Sequence, residues 1–475
     1  MEQGGQPEAT TIVTSKAEDL DSLGLVERLL FANVPVWAMA IAILLGLLFT
    51  IAMLVAARQG PAKAGMLGTL AQNLSETPRA IKSLLPGYNF EDSMRTRDPA
   101  PALPAGFGAR APGFQDPGYL LLARSDPRLH RSVVEIVRVR DGKLLHRYTP
   151  DIAAVNARSL ASGVLAKLPG EAEPNRYRMT HPLLLDDGSI IFHGDSPLAR
   201  VDACGRLMWT VDGIFTHAIE PDGANGFWVS ITYPRSSLPF VGPDFEEQGI
   251  ARVSYDGRLL ANVSIARILQ DNGLYQLWGP RAYAKDPFHI NDVEPVLRDG
   301  KHWRAGDLFI SLRHLSMVML YRPSTGKIVW YRIGPWMMQH DVDILDDHRI
   351  SIFNNNTLGG AESDYGAVRR VAEHNNLLVY DFDTDRISAP FEAAFANYQV
   401  KTFREGLATM LPNGDAFVEE TVFGRLLRIT PSGGLRWQYV NAGDKGQRYL
   451  LNWSRYLDPQ QYGKAIRAAV TAKCS

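Results

Sequence analysis

The side chains best suited to chemistry in this chain are those of four histidines. Each histidine lies at the start of a run of alternating apolar residues. They are His181 in THPLLLDDGSIIF, His217 in THAIEPDGANGFWVS, His289 in FHINDVEPVLRDG and His340 in QHDVDILDDHRISIF. One histidine before a strand is usually a packed or capping residue, but four at equivalent repeat positions indicate a shared site. Neutral imidazoles can bind a metal, or can attack and hydrogen-bond a sulfuryl or phosphoryl group.

Arginines near these histidines favour the oxyanion over the metal. Arg313 lies in ISLRHLS, and Arg369 and Arg370 lie downstream of FNNN. Guanidinium groups form strong charge-assisted hydrogen bonds with tetrahedral anions. The histidines lack the H-x-x-x-H spacing and the clustered carboxylates of a metal site, so we expect no metal and no cofactor.

A repeated hairpin supplies the scaffold that positions the histidines. A strand, a Gly or Asp turn and a second strand recur six times, at residues 138–148, 200–211, 252–263, 321–333, 380–391 and 428–440. The turns recur at intervals of roughly 50–70 residues, which suits four-stranded propeller blades with loop insertions. We therefore predict an all-β, six-bladed β-propeller, the alternative being unrelated hairpins in a sandwich. The innermost strands of a propeller line one channel, so the histidines should converge there.

Glycines are expected to supply the positive φ that these tight hairpins need. They are Gly142, Gly205, Gly257, Gly326 and Gly434.

Composition limits the classes of function. The 475 residues include 50 Lys+Arg and 51 Asp+Glu, and this balance argues against a protein that binds nucleic acid through bulk charge. A hydrophobic content of 45% is enough for a large core. Two cysteines exclude a disulfide scaffold or a Cys-rich metal site. A bridge between Cys204 and Cys474 is not expected, since Cys474 is the second-last residue.

An apolar segment near the start of the sequence is long enough to cross a membrane. Residues 35–57 lack charged side chains, and roughly 20 apolar residues span the hydrocarbon core. A cleaved signal peptide is the alternative, but the apolar run is long for one and the preceding segment is acidic. Lys16 and Arg28 before the segment are matched by Arg58 and Lys63 after it, so flanking charge does not set the orientation.

The domain organisation follows from these segments. We expect an N-terminal tail over 1–33, a transmembrane helix over 34–58, a connector with an amphipathic helix over 59–117, and the propeller over 118–475.

Two long stretches resemble the bacterial arylsulfotransferase family. They are FHINDVEP…DLFISLRHLSMVMLYRPSTGKIVWYRIGP…QHDVDILDDHRISIFNNN and GLATMLPNGDAFVEETVFGRLLRITPSGGLRWQYVN. The resemblance covers residues 118–460 and implies a six-bladed propeller outside the cytoplasmic membrane. It also implies transfer of a sulfuryl group from an aryl sulfate to a phenol through a sulfated histidine, without a nucleotide sulfate donor.

The resemblance extends to individual residues. His289 matches the histidine of the family's H-x-N-D/S stretch, and His340 matches the one in Q-H-D. Arg313 with His314 matches an Arg–His pair, and Asn354 with Asn355 matches the segment after Q-H-D. Either Arg369 or Arg370 corresponds to a further arginine of the family.

One departure from the family pattern bears on activity. The family's sulfate-accepting histidine belongs just before the L-P-N-G segment of the last blade. This chain has Phe403, Arg404, Glu405 and Gly406 there, and no histidine follows His374. An arginine stays protonated and cannot be the nucleophile. Another residue must then accept the sulfuryl group, or transfer is direct, or the protein is no sulfotransferase.

The sequence therefore leaves two hypotheses. In the first, the protein is a membrane-anchored sulfuryl transferase acting on small phenolic or sulfated substrates. In the second, the propeller is a non-catalytic binding or assembly module of a membrane complex. The predicted catalytic residues are His289, His340, Arg313 and Arg404. The predicted substrate-binding residues are His181, His217, Asn291, Asn354 and Asn355. From the family resemblance we expect one pass through the cytoplasmic membrane, with 1–33 in the cytoplasm and the propeller in the periplasm.

Overall fold

A computed structural model describes residues 35–84, 94–96, 103–157, 176–242, 244–358 and 372–474. The chain divides into two compact units, one ending at Ser75 and one beginning at Glu76. The predicted tail over 1–33 lies outside the described residues, as do Arg369 and Arg370.

The first unit contains most of helix α1 (Val36–Leu84). Its stretch Val36–Ala56 is long and apolar enough to cross a membrane, since 21 residues rise roughly 30 Å along a helix. Large apolar side chains such as Trp37 and Leu45 are exposed in this stretch. The helix continues through the residues where a separate connector helix was expected, so the structure has one helix where the sequence predicted two.

The second unit is built from short strands with alternating side chains. In chain order they are β1 (Gly106–Arg110), β2 (Tyr119–Asp126), β3 (Arg131–Arg138), β4 (Lys143–Tyr148), β5 (Thr180–Leu184), β6 (Ile190–His193), β7 (Leu198–Val201), β8 (Leu207–Val211), β9 (Ile214–Pro221), β10 (Gly226–Thr232), β11 (Gln248–Ser254), β12 (Leu259–Ser264), β13 (Ile290–Pro295), β14 (Leu308–Leu312), β15 (Met317–Arg322), β16 (Lys327–Ile333), β17 (His340–Ile344), β18 (Arg349–Asn354), β19 (Asn376–Asp381), β20 (Arg386–Ser388), β21 (Leu407–Met410), β22 (Ala416–Glu420), β23 (Arg425–Ile429), β24 (Leu435–Val440) and β25 (Arg455–Leu457).

Short helices lie between and after the strands. They are α2 (Ile152–Asn156), α3 (Ile265–Asp271), α4 (Glu392–Asn397) and α5 (Pro459–Val470), with 3₁₀ turns at Tyr275–Leu277, Gly279–Arg281, Arg313–Leu315 and Thr421–Phe423.

The strands form six antiparallel sheets, which confirms the six-bladed propeller. Blade 1 has the order β25-β2-β3-β4, and blades 2 to 5 are β5–β8, β9–β12, β13–β16 and β17–β20. Blade 6 is β21–β24 with β1 added at its outer edge. Apolar residues between neighbouring blades form the core, and Phe309, Phe353 and Trp437 are fully buried there.

Segments from both ends of the domain close the ring. Strand β25 pairs with Tyr119–Leu121 of β2, so the C-terminal strand is the innermost strand of blade 1. Strand β1 pairs with β24 as a fifth strand, so the propeller sheets begin at Gly106, inside the expected connector. Closure removes the open strand edges that would otherwise invite association.

The hairpin glycines behave as expected with one exception. Gly142, Gly205, Gly257 and Gly326 have φ between 68° and 85°. In the last hairpin the positive φ, 85°, belongs to Gly433 and not to Gly434 as predicted. The turn is shifted by one residue because the Thr430 carbonyl accepts the N–H of Gly433 while Thr430 N–H bonds the Gly434 carbonyl.

The expectation of unpaired cysteines is wrong. Cys204 and Cys474 form a disulfide with their Cα atoms 5.3 Å apart. Helix α5 folds back over blade 2 so closely that a Cβ at Gly188 would lie 2.5 Å from the Ala469 nitrogen. This packing brings the end of the chain to the β7–β8 turn despite a sequence separation of 270 residues.

Candidate functional site

Every blade places one non-glycine residue with positive φ at or near the start of its inner strand. From blade 1 to blade 6 these are Trp453 (φ 63°), His181 (46°), His217 (60°), His289 (52°), Asp341 (31°) and Glu405 (57°). Residues other than glycine are uncommon at positive φ, in the left-handed region of backbone conformation. Strained backbone of this kind tends to cluster at functional sites. The repeat therefore carries a conformational signature as well as a sequence one.

The predicted histidines lie close together. Ring centroids are 4.9 Å apart for His217 and His289, and 6.5 Å apart for His217 and His340. His181 stacks on Trp453 at 4.2 Å, and Trp453 lies 6.4 Å from His217. Burial, reinforced by the neighbouring imidazoles, holds the pKa values of His181 and His217 well below the usual range. These two rings are therefore neutral at pH 7.

A cavity of about 930 Å³, called here the basic cavity, opens onto most of this cluster. Its lining includes the five imidazoles of His193, His217, His289, His314 and His340. It also includes five basic side chains against three acidic ones, namely Arg178, Arg281, Lys285, Arg313 and Arg404 against Asp195, Asp286 and Glu405. A cavity with this excess of positive charge favours an anionic ligand.

Asp286 and His289 form a dyad at one side of the basic cavity. The Nδ1 of His289 lies 2.5 Å from Oδ2 of Asp286, and the His289 backbone N–H donates to Oδ1 at 3.0 Å. Burial alone would raise the pKa of Asp286, but the hydrogen bonds from the ring and the backbone of His289 lower it below its ordinary value. An ionised Asp286 holds the proton on Nδ1. The Nε2 of His289 makes no hydrogen bond to any described residue, so its lone pair is available.

His314 and Arg313 lie beside this dyad. Nδ1 of His314 donates to the Asp286 carbonyl at 2.7 Å, and its Nε2 accepts from Nη1 of Arg313 at 2.8 Å. Burial lowers the pKa of His314, with a further contribution from His289. His314 therefore stays neutral and orients the Arg313 guanidinium in the cavity wall.

His340 is held differently from His289. Its Nδ1 donates to Oδ1 of Asn355 at 2.6 Å, and its Nε2 accepts the backbone N–H of Glu405 at 3.1 Å. Burial, with a further contribution from Arg313, holds its pKa well below the usual range. Both ring nitrogens are engaged, so His340 has no lone pair to offer a substrate in this arrangement.

Glu405 occupies the blade 6 position of the ring. Its carboxylate binds Arg178 in a two-pronged ion pair with N–O distances of 3.1 and 3.3 Å. Burial would raise its pKa, but Arg178 and Arg404 outweigh burial and lower it. Glu405 is therefore ionised.

Some predicted substrate-binding residues lie outside the basic cavity. His181 and Asn291 line a second cavity of about 410 Å³, called here the acidic cavity, while His340 and Trp453 line both. Asn354 and Asn355 line neither of these two cavities. Asn355 binds His340 and the carbonyls of Thr402 and Glu405, so it positions the ring of His340.

Asn354 likewise forms hydrogen bonds with a neighbouring backbone group and with two side chains. Its Oδ1 accepts the N–H of Met337 at 2.8 Å, and its Nδ2 donates to Asn356 and Asn376. The substrate-binding role predicted for Asn354 thus has no contact in either cavity to support it.

The sequence analysis missed several residues of the site. Asp286 precedes His289 by three residues in a loop without a strand pattern. His193 lies at the end of β6, where Nε2 donates to the His217 carbonyl at 2.8 Å. A D-x-x-H spacing was the only available signal for the dyad, and it is common by chance.

Within the part of the chain that the structure describes, two groups of side chains have donor atoms close enough to share a metal ion. They are Asp286 with His289 and His314, and the surface turn Asp346–His348. In the first group Nδ1 of both histidines already donates a hydrogen bond, to the carboxylate and the carbonyl of Asp286.

Comparison with known proteins gives one family. A family model described as arylsulfotransferase (ASST) matches residues 181–442, more than half of the chain. No curated protein sequence matches the chain.

Solved structures resemble the chain in fold alone. A protein of unknown function from Bacteroides caccae is 14% identical with a TM-score of 0.45, covering 72% of this chain and 99% of its own. The nidogen/laminin complex gives 8% and 0.40, covering 72% and 98%. A streptogramin B lyase structure gives 10% and 0.35, covering 73% and 95%.

Proposed function

Because the chain belongs to the arylsulfotransferase family, we propose that it transfers a sulfuryl group from an aryl sulfate to a phenol in the basic cavity. The observation that carries this proposal is the dyad, in which Asp286 holds the proton on Nδ1 of His289 and leaves Nε2 open to the cavity. In the family, the resemblance implies that a last-blade histidine accepts the sulfuryl group. Glu405 occupies the last-blade position here and has no nucleophilic nitrogen, so we assign that role to His289.

In the first half of the reaction, the Nε2 lone pair of His289 attacks sulfur and an N–S bond forms. The S–O bond to the aryl group breaks, and the aryloxide leaves with the electron pair. The imidazole gains positive charge in this step, and the Asp286 carboxylate stabilises that charge through Nδ1–H. The product is a sulfohistidine and a phenolate.

In the second half, the acceptor phenol loses its proton and its oxygen attacks the sulfur. The N–S bond breaks, and His289 recovers its lone pair. His217 is neutral and its ring lies 4.9 Å from that of His289, so we assign it as the base that takes the phenol proton. The phenolate released in the first half takes a proton from solvent and His217 returns the phenol proton to solvent, so the overall exchange consumes none.

Arginines neutralise the charge that the sulfuryl oxygens carry throughout. Arg313 and Arg404 both line the basic cavity, and His314 orients Arg313. Preorganised donors of this kind act strongly where water is excluded. The ion pair with Glu405 fixes Arg178 in the same wall.

Turnover of 4-nitrophenyl sulfate with a phenol acceptor tests this function. We expect His289→Ala to lower turnover by about two or more orders of magnitude, the scale for a lost nucleophile. His302→Ala, a surface histidine paired with Asp383, is the matched control. An inactive wild-type protein that binds phenolic ligands would instead support the non-catalytic binding module.

The family resemblance and the disulfide together support a location for the domain. We propose that α1 anchors the protein in the cytoplasmic membrane and that the propeller lies in the periplasm. Both cysteines of the chain are paired with each other, and such bonds persist in oxidising compartments. The apolar stretch Val36–Ala56 supplies the anchor.

Labelling of a new cysteine tests this orientation. Tyr283 is 84% exposed, so Tyr283→Cys gives one free thiol on the propeller surface. A maleimide that does not cross the inner membrane should label it in intact cells, while the wild type stays unlabelled. Labelling that requires lysis would place the propeller in the cytoplasm.

A further inference from the structure

The acidic cavity differs from the basic one in charge, lining and orphaned acceptors, and we propose that it binds a small organic ammonium ion. Its lining includes five acidic side chains against one basic residue, Arg455, among the described residues. His340 and Trp453 line both cavities. The two cavities therefore favour ligands of opposite charge. This second ligand site goes beyond the proposed transfer reaction.

Most carboxyl groups of this cavity have no cationic side chain as a partner in the described structure. Glu220 is paired with Arg455 through N–O distances of 2.9 and 3.1 Å. Asp292 and Asp341 have no such partner; each accepts only backbone N–H groups in the described structure. Burial, reinforced by the neighbouring carboxylates, raises the pKa values of both well above the usual range. A cation bound beside them would favour their ionised forms and so lower these pKa values.

An amide oxygen adds an unsatisfied acceptor. Asn291 is 3% exposed, and its Nδ2 donates to the Gln339 carbonyl at 2.7 Å. Its Oδ1 has no hydrogen-bond partner among the described residues, although an orphaned buried acceptor is costly. Asp343 also has a buried carboxylate oxygen without a partner in the described structure. A positively charged group with several N–H donors, such as an ammonium ion, would satisfy these acceptors.

Apolar side chains in the same lining suit the body of an amine. They are Phe417, Trp453, Tyr456 and Leu407. Aromatic faces attract cations as well as apolar groups. A volume of about 410 Å³ also lies within the usual range of small-molecule sites.

The spread of the carboxylates favours an organic cation over a bare metal ion. Among the described residues, three donor atoms within 4.8 Å of one another occur at Asp286, His289 and His314 and at the turn Asp346–His348. The acidic cavity does not provide such a group. A larger cation can reach several separated acceptors at once.

Titration calorimetry on the full-length protein in detergent tests this proposal, with 2-phenylethylamine as the probe and 2-phenylethanol as its neutral counterpart. We expect the amine to bind and the alcohol not to bind. Asp343→Asn should weaken amine binding about tenfold or more, because it removes a charged partner. Since this change also removes like-charge repulsion, the variant should fold. Asp286→Asn, in the basic cavity, and Asp346→Asn, on the surface, should leave amine affinity unchanged.

Three results would overturn the proposal. Equal binding of amine and alcohol would show that the charge is not recognised. Loss of amine binding in Asp286→Asn but not in Asp343→Asn would place the amine in the basic cavity. Binding of Ca²⁺, lost in Asp343→Asn, with no binding of the amine would assign the acidic cavity to a metal ion. None of these results depends on sulfuryl transfer, so the transfer reaction and the amine site can fail separately.

Discussion

Oδ2 of Asp286 lies 2.5 Å from Nδ1 of His289, and Oδ1 of the same carboxylate accepts the His289 backbone N–H. One side chain thus fixes both the position and the tautomer of the imidazole. His340, the other predicted catalytic histidine, has both nitrogens bonded within the protein. The contrast separates a candidate nucleophile from a structural histidine of the same ring.

Asp286→Asn tests whether the dyad sets the tautomer of His289. An Asn amide can donate to Nδ1, which would move the ring proton to Nε2 and remove the nucleophilic lone pair. We expect kcat to fall by about two orders of magnitude or more, with KM little changed. A merely structural role for Asp286 would instead lower the melting temperature and leave kcat of the folded fraction intact. Asp346→Asn is the control.

Two carboxyl groups, Asp343 and Glu419, should contribute stability to the propeller that is lost as pH rises from about 4 to 7. Burial, together with the charge of Glu220, raises the pKa of Asp343 from 3.8 to about 7, and burial raises that of Glu419 from 4.5 to about 7. In this window the two folded-state carboxyl groups keep protons that they lose in the unfolded chain, so their contribution to the free energy of unfolding decreases with pH. The buried histidines, with lowered pKa values, contribute in the opposite direction. Thermal melts of the wild type and of Asp343→Asn from pH 4 to 8 separate the two effects.

Asp343→Asn provides the comparison for this pH effect. The variant should gain stability relative to the wild type as pH rises from about 4 to 7, and it should keep that difference above pH 7. Identical pH profiles for the two proteins would contradict the assignment of Asp343 as a buried, titrating carboxyl.

Reduction of the Cys204–Cys474 disulfide should destabilise the domain. The bond ties the end of the chain to blade 2 across 270 residues, and the loss of a native disulfide typically costs roughly 2–5 kcal/mol. Cys204→Ser should melt several degrees lower than the wild type, and reductant should lower the wild type to the same value. A wild-type melting temperature insensitive to reductant would show that the bond contributes nothing.

The repeat made much of the fold predictable. Hairpin turns and histidines at matching positions predict six blades with convergent inner strands, because both depend on local patterns that recur. Closure of the ring by a terminal strand such as β25 could also be expected, because an unclosed propeller leaves unpaired strand edges. The disulfide was not predictable, because it depends on where α5 packs rather than on any local pattern.

Within the site, the residues that could be predicted from the sequence are mainly those at repeat positions. His217, His289 and His340 lie together as the repeat suggested, and Arg313 and Arg404 line the same cavity. Asp286 lies in a loop outside the repeat, so only the structure reveals it. The presence of two cavities, with His340 and Trp453 in both linings, likewise cannot be predicted from spacing along the sequence.

Mass spectrometry of the protein after brief reaction with 4-nitrophenyl sulfate, without acceptor, tests the central claim most directly. The account predicts one added SO₃ group on the peptide that contains His289, released when a phenol is added. The adduct should be absent from His289→Ala and present in the control His302→Ala. An adduct on another residue, or phenol sulfation by His289→Ala at the wild-type rate, would contradict His289 as the nucleophile.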